Sequence, residues 1–179
     1  MAAITLARAG AKPILIERGS KAEERHAVVE EFWENGKLIL ENNVLFGEGG
    51  AGLFSDGKLT ARSKDPRRIR AFFNDLVKAG ASPSILIDAE PHLGSDVLLK
   101  IIPGLRNEII SNGGEILYNT ALTAITVKDG KIVSITAGNK VFETDDLILA
   151  TGHSARDIYR LLASINADLE AKPMAIGIR

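Results

Sequence analysis

The chain of 179 residues contains no cysteine, few aromatic residues and almost no net charge. The absence of cysteine excludes disulfide bonds, cysteine-ligated zinc, iron–sulfur clusters and dithiol redox centres within these residues. With only three histidines and no HExxH motif, a metal site is not expected. The net charge of −1 argues against nucleic acid and anionic membranes as partners. No apolar run approaches the roughly 18 residues that a membrane span requires.

What remains is the composition of a soluble globular protein. Hydrophobic residues make up 45% of the chain and charged residues 25%, and the length suits one domain with a sizeable core. The N-terminal segment is too short and turns polar too quickly for a secretory signal. We therefore expect one domain over residues 1–179 and a cytoplasmic location.

Helix start and stop signals divide the chain into segments. A helix tail precedes Gly10, a polar helix covers Ser20 to about Asn35, and Asp65-Pro66 begins a helix that Gly80 ends. Ser95 starts another helix that runs to about Gly113, in which Pro103-Gly104 predicts a kink or a break. Ser154 to Asp157 has the pattern of a capping box that opens a last helix.

The apolar pattern predicts two kinds of strand. Lys12–Glu17 and Leu147–Ala150 are continuous apolar runs, typical of parallel strands covered on both faces, and Ile116–Asn119 is a shorter strand of the same sheet. Residues 122–127, 132–136 and 139–142 alternate, and Asp129-Gly130 between the first two is a hairpin signal. The prediction is an α/β fold with a parallel sheet and a three-stranded antiparallel β-meander.

Three features together favour a dinucleotide site. A strand ends in Glu17, and an acid at such a position accepts hydrogen bonds from ribose hydroxyls. Residues 47–57, the glycine segment, contain five of the 17 glycines, which allow backbone amides to approach a phosphate or a flat ring closely. Thr151-Gly152 ends a strand before a helix. The plainer alternatives are a solvated acid and a surface loop.

Longer strings make the resemblance specific. Leu45–Gly52, Phe54–Leu59, Pro91–Asp96, Ala150–Asp157 and Ala171–Arg179 resemble the FAD-dependent dehydrogenases, often called NAD(FAD)-utilising dehydrogenases, of the glutathione-reductase-like flavoprotein superfamily. The resemblance covers essentially the whole chain and implies a Rossmann-like FAD-binding domain. That superfamily opens with a strand and a GxGxxG turn, which this chain lacks. We therefore expect an internal fragment of a larger enzyme, without the GxGxxG start and the C-terminal part.

The resemblance implies an FAD-dependent oxidoreductase that moves a hydride between a small substrate or nicotinamide and FAD, with NAD(P)H as a further electron donor. Glu17 and Arg18 would bind the adenosine ribose region. Backbone amides would face the pyrophosphate or flavin, and further groups would line the ring and its edge. The residues so assigned are Gly49, Gly50, Gly52, Ser55, Asp56, Thr151 and Gly152.

Two side chains are candidates for catalysis. Lys58 would stabilise the negative charge of the reduced flavin ring, and His92 would donate a proton beside it. The alternatives are a solvated lysine and a structural histidine. At the level of the whole chain, a flavin-linked RNA-modifying enzyme and a non-catalytic remnant that no longer binds FAD also stay open.

The missing first strand has its own consequence. In the family it lies between the strand that ends at Glu17 and the strand that ends at Ala150. We expect the chain alone to bind FAD poorly or not at all, and its unpaired sheet edges to favour self-association.

Overall fold

The computed structural model describes residues 1–55, 57–59 and 65–173. The chain is mixed α/β and divides into two compact units, Met1–Ala121 and Leu122–Arg179. Each unit has its own sheet. The parallel pair of strands lies in the first unit, and the antiparallel meander lies in the second unit. No helix within the described ranges combines the length and the apolar character needed to cross a membrane.

Four helices build most of the first unit. They are α1 (Ala2–Arg8), α2 (Ala22–Asn35), α3 (Pro66–Lys78) and α4 (Ser95–Ser111), with short 3₁₀ turns at Ala51–Phe54 and Pro83–Leu86. The α3 start is as predicted, since the Asp65 carboxylate accepts the N–H groups of Arg67 and Arg68 beside a proline at the first position. Helix α2 ends at Gly36 in the left-handed conformation.

Helix α4 continues through Pro103, so the predicted break does not occur. Proline removes one backbone hydrogen bond and crowds the preceding turn, which costs about 3 kcal/mol in a helix interior. Ile101 and Ile109 on either side of it are buried, with exposed fractions of 1% and 7%. Packing on both sides of the proline holds the two halves of the helix in place.

The parallel sheet contains two strands. β1 (Ile14–Ile16) pairs in parallel with β2 (Glu115–Leu117), with Ile14 opposite Glu115, which confirms that these two segments share a parallel sheet. The expectation that β1 is covered on both faces is wrong, because Ile14 is 46% exposed. Among the described residues β1 and β2 pair only with each other. Self-association through such edges stays a prediction.

The predicted parallel strand at Leu147–Ala150 is wrong. This segment lies outside every strand of the described chain, and Ile148 and Leu149 are 62% and 39% exposed. An apolar run indicates a preference for burial, but a strand also needs backbone partners on a neighbouring strand. Among the described residues no strand pairs with this run, so it has no ladder hydrogen bonds.

Two apolar clusters form the core of the first unit. One contains Leu76, Ala81, Ile85, Leu93 and Ile101, and the other contains Ala3, Ile4 and Ile109. A clamp at Arg8 joins the helices around them: Nη2 lies 2.8 Å from Asp75 Oδ1, and Nε lies 2.5 Å from Glu108 Oε1. These carboxylates, Asp75 foremost, raise the pKa of Arg8. The ion pairs fix α1 to α3 and α4.

The second unit contains the predicted meander. Its elements are β3 (Leu122–Lys128), β4 (Lys131–Ala137), β5 (Lys140–Glu143) and α5 (Arg156–Ser164). Asp129 and Gly130 both have positive φ, 52° and 75°, as a type I′ hairpin turn requires, which confirms that signal. Helix α5 has Ala155 rather than Ser154 as its N-cap residue, and the Ser154 hydroxyl lies 3.1 Å from His153 Nε2.

The Arg8 clamp generates a stability prediction. Asp75 is 5% exposed, so Arg8→Ala leaves a buried carboxylate without its cation. We expect the free energy of unfolding to fall by about 1–3 kcal/mol, as for a lost hydrogen bond to a charged group. Urea unfolding followed by circular dichroism measures it.

The matched control is Arg67→Ala. Arg67 also faces a carboxylate, Asp65, but its side chain is 93% exposed. A change within about 0.5 kcal/mol is expected for this exposed pair. Equal losses in the two variants would contradict the role assigned to the clamp.

Candidate functional site

The carboxylate of Glu17 joins the end of β1 to the glycine segment. Its Oε1 accepts the N–H groups of Gly19 and Gly47, both at 3.0 Å. A Cβ on Gly19 would lie 2.6 Å from Gly47 Cα, so only glycine permits this approach of the two backbones. A carboxylate offers about four lone-pair sites, so these two amides leave it with further acceptor capacity.

A buried arginine that sequence reasoning missed organises the glycine segment. Arg25 on α2 has an exposed fraction of 0%, and its guanidinium lies 4.8 Å from the centre of the Phe54 ring. It donates to five backbone carbonyls at 2.8–3.2 Å, those of Asn43, Val44, Gly47, Glu48 and Gly50. Burial lowers the pKa of Arg25 to about 10, which leaves the side chain charged at neutral pH.

Glu48, inside the glycine segment, is a second organising residue. Its carboxylate accepts the N–H of Ala22 at 2.9 Å, the Nε and Nη2 donors of the Arg106 guanidinium at 2.9 and 2.6 Å, and the hydroxyl of Tyr118. Arg106 also donates to Glu23 at 2.7 Å and thereby lowers the pKa of that carboxyl. Burial, with the Glu48 carboxylate acting in the same direction, raises the pKa of Tyr118.

The structural roles of Glu48 and Arg25 differ in how far the sequence indicates them. Glu48 is a charged residue between two glycines, and its side chain must be accommodated by the surrounding turns. This position in the sequence is therefore a sign that Glu48 has a structural role. Arg25 lies in the polar helix α2, where nothing in the pattern distinguishes it from solvated charges. Only the fold shows that the arginine of this helix is enclosed.

The glycines of the segment are required for different reasons. A Cβ on Gly47 would lie 2.4 Å from Arg25 Cδ, and one on Gly49 would lie 2.6 Å from Ile102 Cδ1. Gly50 has open space but a φ of +62°. Gly52 has neither positive φ nor any neighbour within 4 Å in the described part of the chain. Packing therefore explains why Gly47 and Gly49 are glycines, and turn geometry explains Gly50. Nothing in the described part of the chain requires a glycine at position 52.

The structure brings the two predicted catalytic residues together. Lys58 and His92 form an antiparallel bridge, flanked by hydrogen bonds from Leu59 N to Pro91 O at 3.0 Å and from Leu93 N to Gly57 O at 2.9 Å. This is a non-hydrogen-bonded pair, in which the side chains lie on one face with Cβ atoms about 4.5–5.5 Å apart. Both residues are exposed.

Other predicted residues have structural contacts. Arg18 lies 4.5 Å from the Phe46 ring centre and 3.4 Å from the Glu41 carboxylate. The Ser55 hydroxyl donates to Gly52 O at 3.0 Å and accepts the N–H of Gly57 at 3.2 Å. The Ser55 contacts shape the glycine segment, and none of these contacts by itself tests a cofactor role.

The remaining predictions concern three residues. Asp56 lies outside the described residues. Thr151 and Gly152 belong to the second unit, where both are exposed and Gly152 has a φ of +73°. Their assignment to the cofactor edge stays a prediction.

Comparisons with known proteins give one informative similarity. No protein-family model matches the chain. A protein of Clostridium beijerinckii (strain ATCC 51743 / NCIMB 8052), described as an uncharacterized protein, is 48% identical over 178 residues. The match covers 99% of this chain and 33% of the relative, so the chain spans about a third of the length of the protein it matches.

The glycine analysis generates a paired prediction. Gly57 has a φ of +74°, and a Cβ there would lie 2.0 Å from the Leu93 carbonyl oxygen. Gly57→Ala should lower the free energy of unfolding by at least about 1–2 kcal/mol, the cost of a left-handed conformation for an L-residue. Gly52→Ala, with open space and ordinary φ, should change it by no more than about 0.5 kcal/mol. Urea unfolding of both variants measures the two free energies. Similar losses in Gly57→Ala and Gly52→Ala would contradict the different roles assigned to these glycines.

The environment of Tyr118 generates a pH prediction. Its folded pKa is raised, so its contribution to stability is complete below the unfolded pKa of about 10 and is lost as pH rises above it. Tyr118→Phe should therefore lose less stability than the wild type between about pH 9 and 11, although it starts about 1 kcal/mol lower because the bond to Glu48 is gone.

Urea unfolding across that pH range measures the difference. Tyr159→Phe is the control, because Tyr159 is the other tyrosine of the chain and is 50% exposed. It should keep the wild-type slope. If Tyr118→Phe follows the wild-type slope as well, the buried hydroxyl is not the group responsible.

Proposed function

We propose that this chain contributes the FAD-binding part, of glutathione-reductase type, to a flavin-dependent oxidoreductase. One observation carries the proposal: the Glu17 carboxylate stands at the carboxyl end of a parallel strand and contacts the glycine segment directly. Ligands of open α/β sheets bind at the carboxyl ends of strands, where an acid can accept ribose hydroxyls. The stretches Leu45–Gly52 and Phe54–Leu59 resemble FAD-dependent dehydrogenases, which also supports FAD binding.

The described residues fit the adenosine and diphosphate parts of such a cofactor. Glu17 retains acceptor capacity for hydroxyl groups after binding two backbone amides. Gly52 leaves free the volume that a Cβ would occupy, with no structural requirement of its own. Backbone amides at such a position can approach a phosphate closely.

The chemistry divides between the cofactor and this chain. FAD, when bound, supplies an acceptor for a hydride from a small substrate or a reduced nicotinamide. The ammonium of Lys58 favours negative charge close to it, and the His92 imidazole can hold or release a proton at a neighbouring atom. Their cross-strand pairing presents both groups on one face. Because the chain covers a third of its relative, hydride transfer is proposed for the whole protein.

Cofactor binding is the property that can be tested on these residues. We expect FAD to bind the chain saturably but weakly, with a Kd no tighter than about micromolar. Amide NMR shifts on titration with FAD should map to Glu17, Gly50 and Gly52. If millimolar FAD shifts none of these amides, the proposal fails for this chain.

Glu17→Gln tests the ribose contact without dismantling the segment. The glutamine carbonyl can still accept Gly19 and Gly47, whereas the charge and one acceptor are lost. FAD affinity should fall roughly tenfold, as expected when a hydrogen bond to a charged group is weakened. Glu24→Gln, an exposed acid on α2, is the control and should bind like the wild type. Equal affinity in all three proteins would remove Glu17 from the site.

A further inference from the structure

The carbonyls that Arg25 holds determine where the opposite sides of those peptide groups point. A trans peptide is planar, so the carbonyl of one residue and the N–H of the next lie on opposite sides of the chain. The carbonyls of Glu48 and Gly50 both point to the buried guanidinium, at 2.8 Å. The N–H groups of Gly49 and Ala51 therefore point away from it.

We propose that Arg25 is the positioning residue of the glycine segment, which turns the amides of Gly49 and Ala51 toward the diphosphate of the bound cofactor. The inference rests on the proposed function, since it takes FAD as the ligand of the segment. Arg25 itself touches no ligand, because it is fully enclosed by the segment and by Phe54. It acts through the backbone that it holds.

An arginine is required for this arrangement. Its five N–H groups form a rigid planar fork, which here reaches carbonyls from position 43 to position 50. A lysine ammonium is a point charge with three donors and cannot span the same set. The enclosed cation also lies directly behind the segment, where a low local dielectric strengthens its attraction for an anionic group on the other side.

Two substitutions separate geometry from charge. Arg25→Lys keeps the cation and loses the fork, and Arg25→Met removes both. Arg8→Met is the matched control, because Arg8 is a structural arginine of the same unit whose two ion-pair partners, Asp75 and Glu108, lie outside the glycine segment. All variants are compared at a temperature at which circular dichroism shows them folded.

Two probes are used with each protein. Sodium pyrophosphate is titrated while the amide resonances of Gly49 and Ala51 are followed, and FAD affinity is measured by flavin fluorescence. We expect pyrophosphate to shift both amides in the wild type and in Arg8→Met. In Arg25→Lys the affinity for both probes should fall roughly tenfold, and in Arg25→Met further. Riboflavin, which has no phosphate, should bind Arg25→Lys and the wild type alike.

The outcomes are distinct. Unchanged FAD and pyrophosphate affinity in folded Arg25→Lys overturns the positioning role while leaving FAD binding intact. Pyrophosphate binding at Gly49 and Ala51 that depends on Arg25, without FAD binding, supports the positioning role and removes the proposed function. If both Arg25 variants fail to fold, the wild-type map decides, because pyrophosphate shifts that spare Gly49 and Ala51 overturn the inference.

Discussion

The first unit depends on one buried cation. Arg25 is enclosed within the protein and satisfied by backbone carbonyls from position 43 to position 50. A buried charge is tolerated only when its donors are paired, so these carbonyls and the guanidinium need each other. The conformation of the glycine segment and the packing of α2 against it follow from the same set of hydrogen bonds.

The glycine segment has two structural roles within a few residues. Gly47 and Gly49 are small because Arg25 and Ile102 occupy the space beside them. Gly52 is small where the described chain leaves open space. The first kind of glycine builds the turn, and the second leaves room beside the backbone for the proposed cofactor. Counting glycines in the sequence does not distinguish these roles, and the positions of neighbouring atoms do.

Local signals were sufficient for elements whose partners are adjacent in sequence. Asp65-Pro66 capped α3, and Asp129-Gly130 formed the hairpin turn, because each involves only a few neighbouring residues. Leu147–Ala150 failed because a parallel strand depends on a distant partner that an apolar run does not specify. The bridge between Lys58 and His92 joins two residues named from the resemblance, but Arg25 was invisible because nothing local separates a buried arginine from a solvated one.

The contacts of Glu48 bear on the cooperativity of unfolding. Its carboxylate connects the first turn of α2, Arg106 of α4 and Tyr118 beside β2. Glycine-rich loops commonly open locally, at a free energy far below that of global unfolding. Here an opening of the segment would break bonds to three separate elements and uncover the Arg25 cation at the same time. We therefore expect the hydrogen-bonded part of the segment, such as the Glu48 amide held by Ser20, to open together with the helices rather than as a mobile loop.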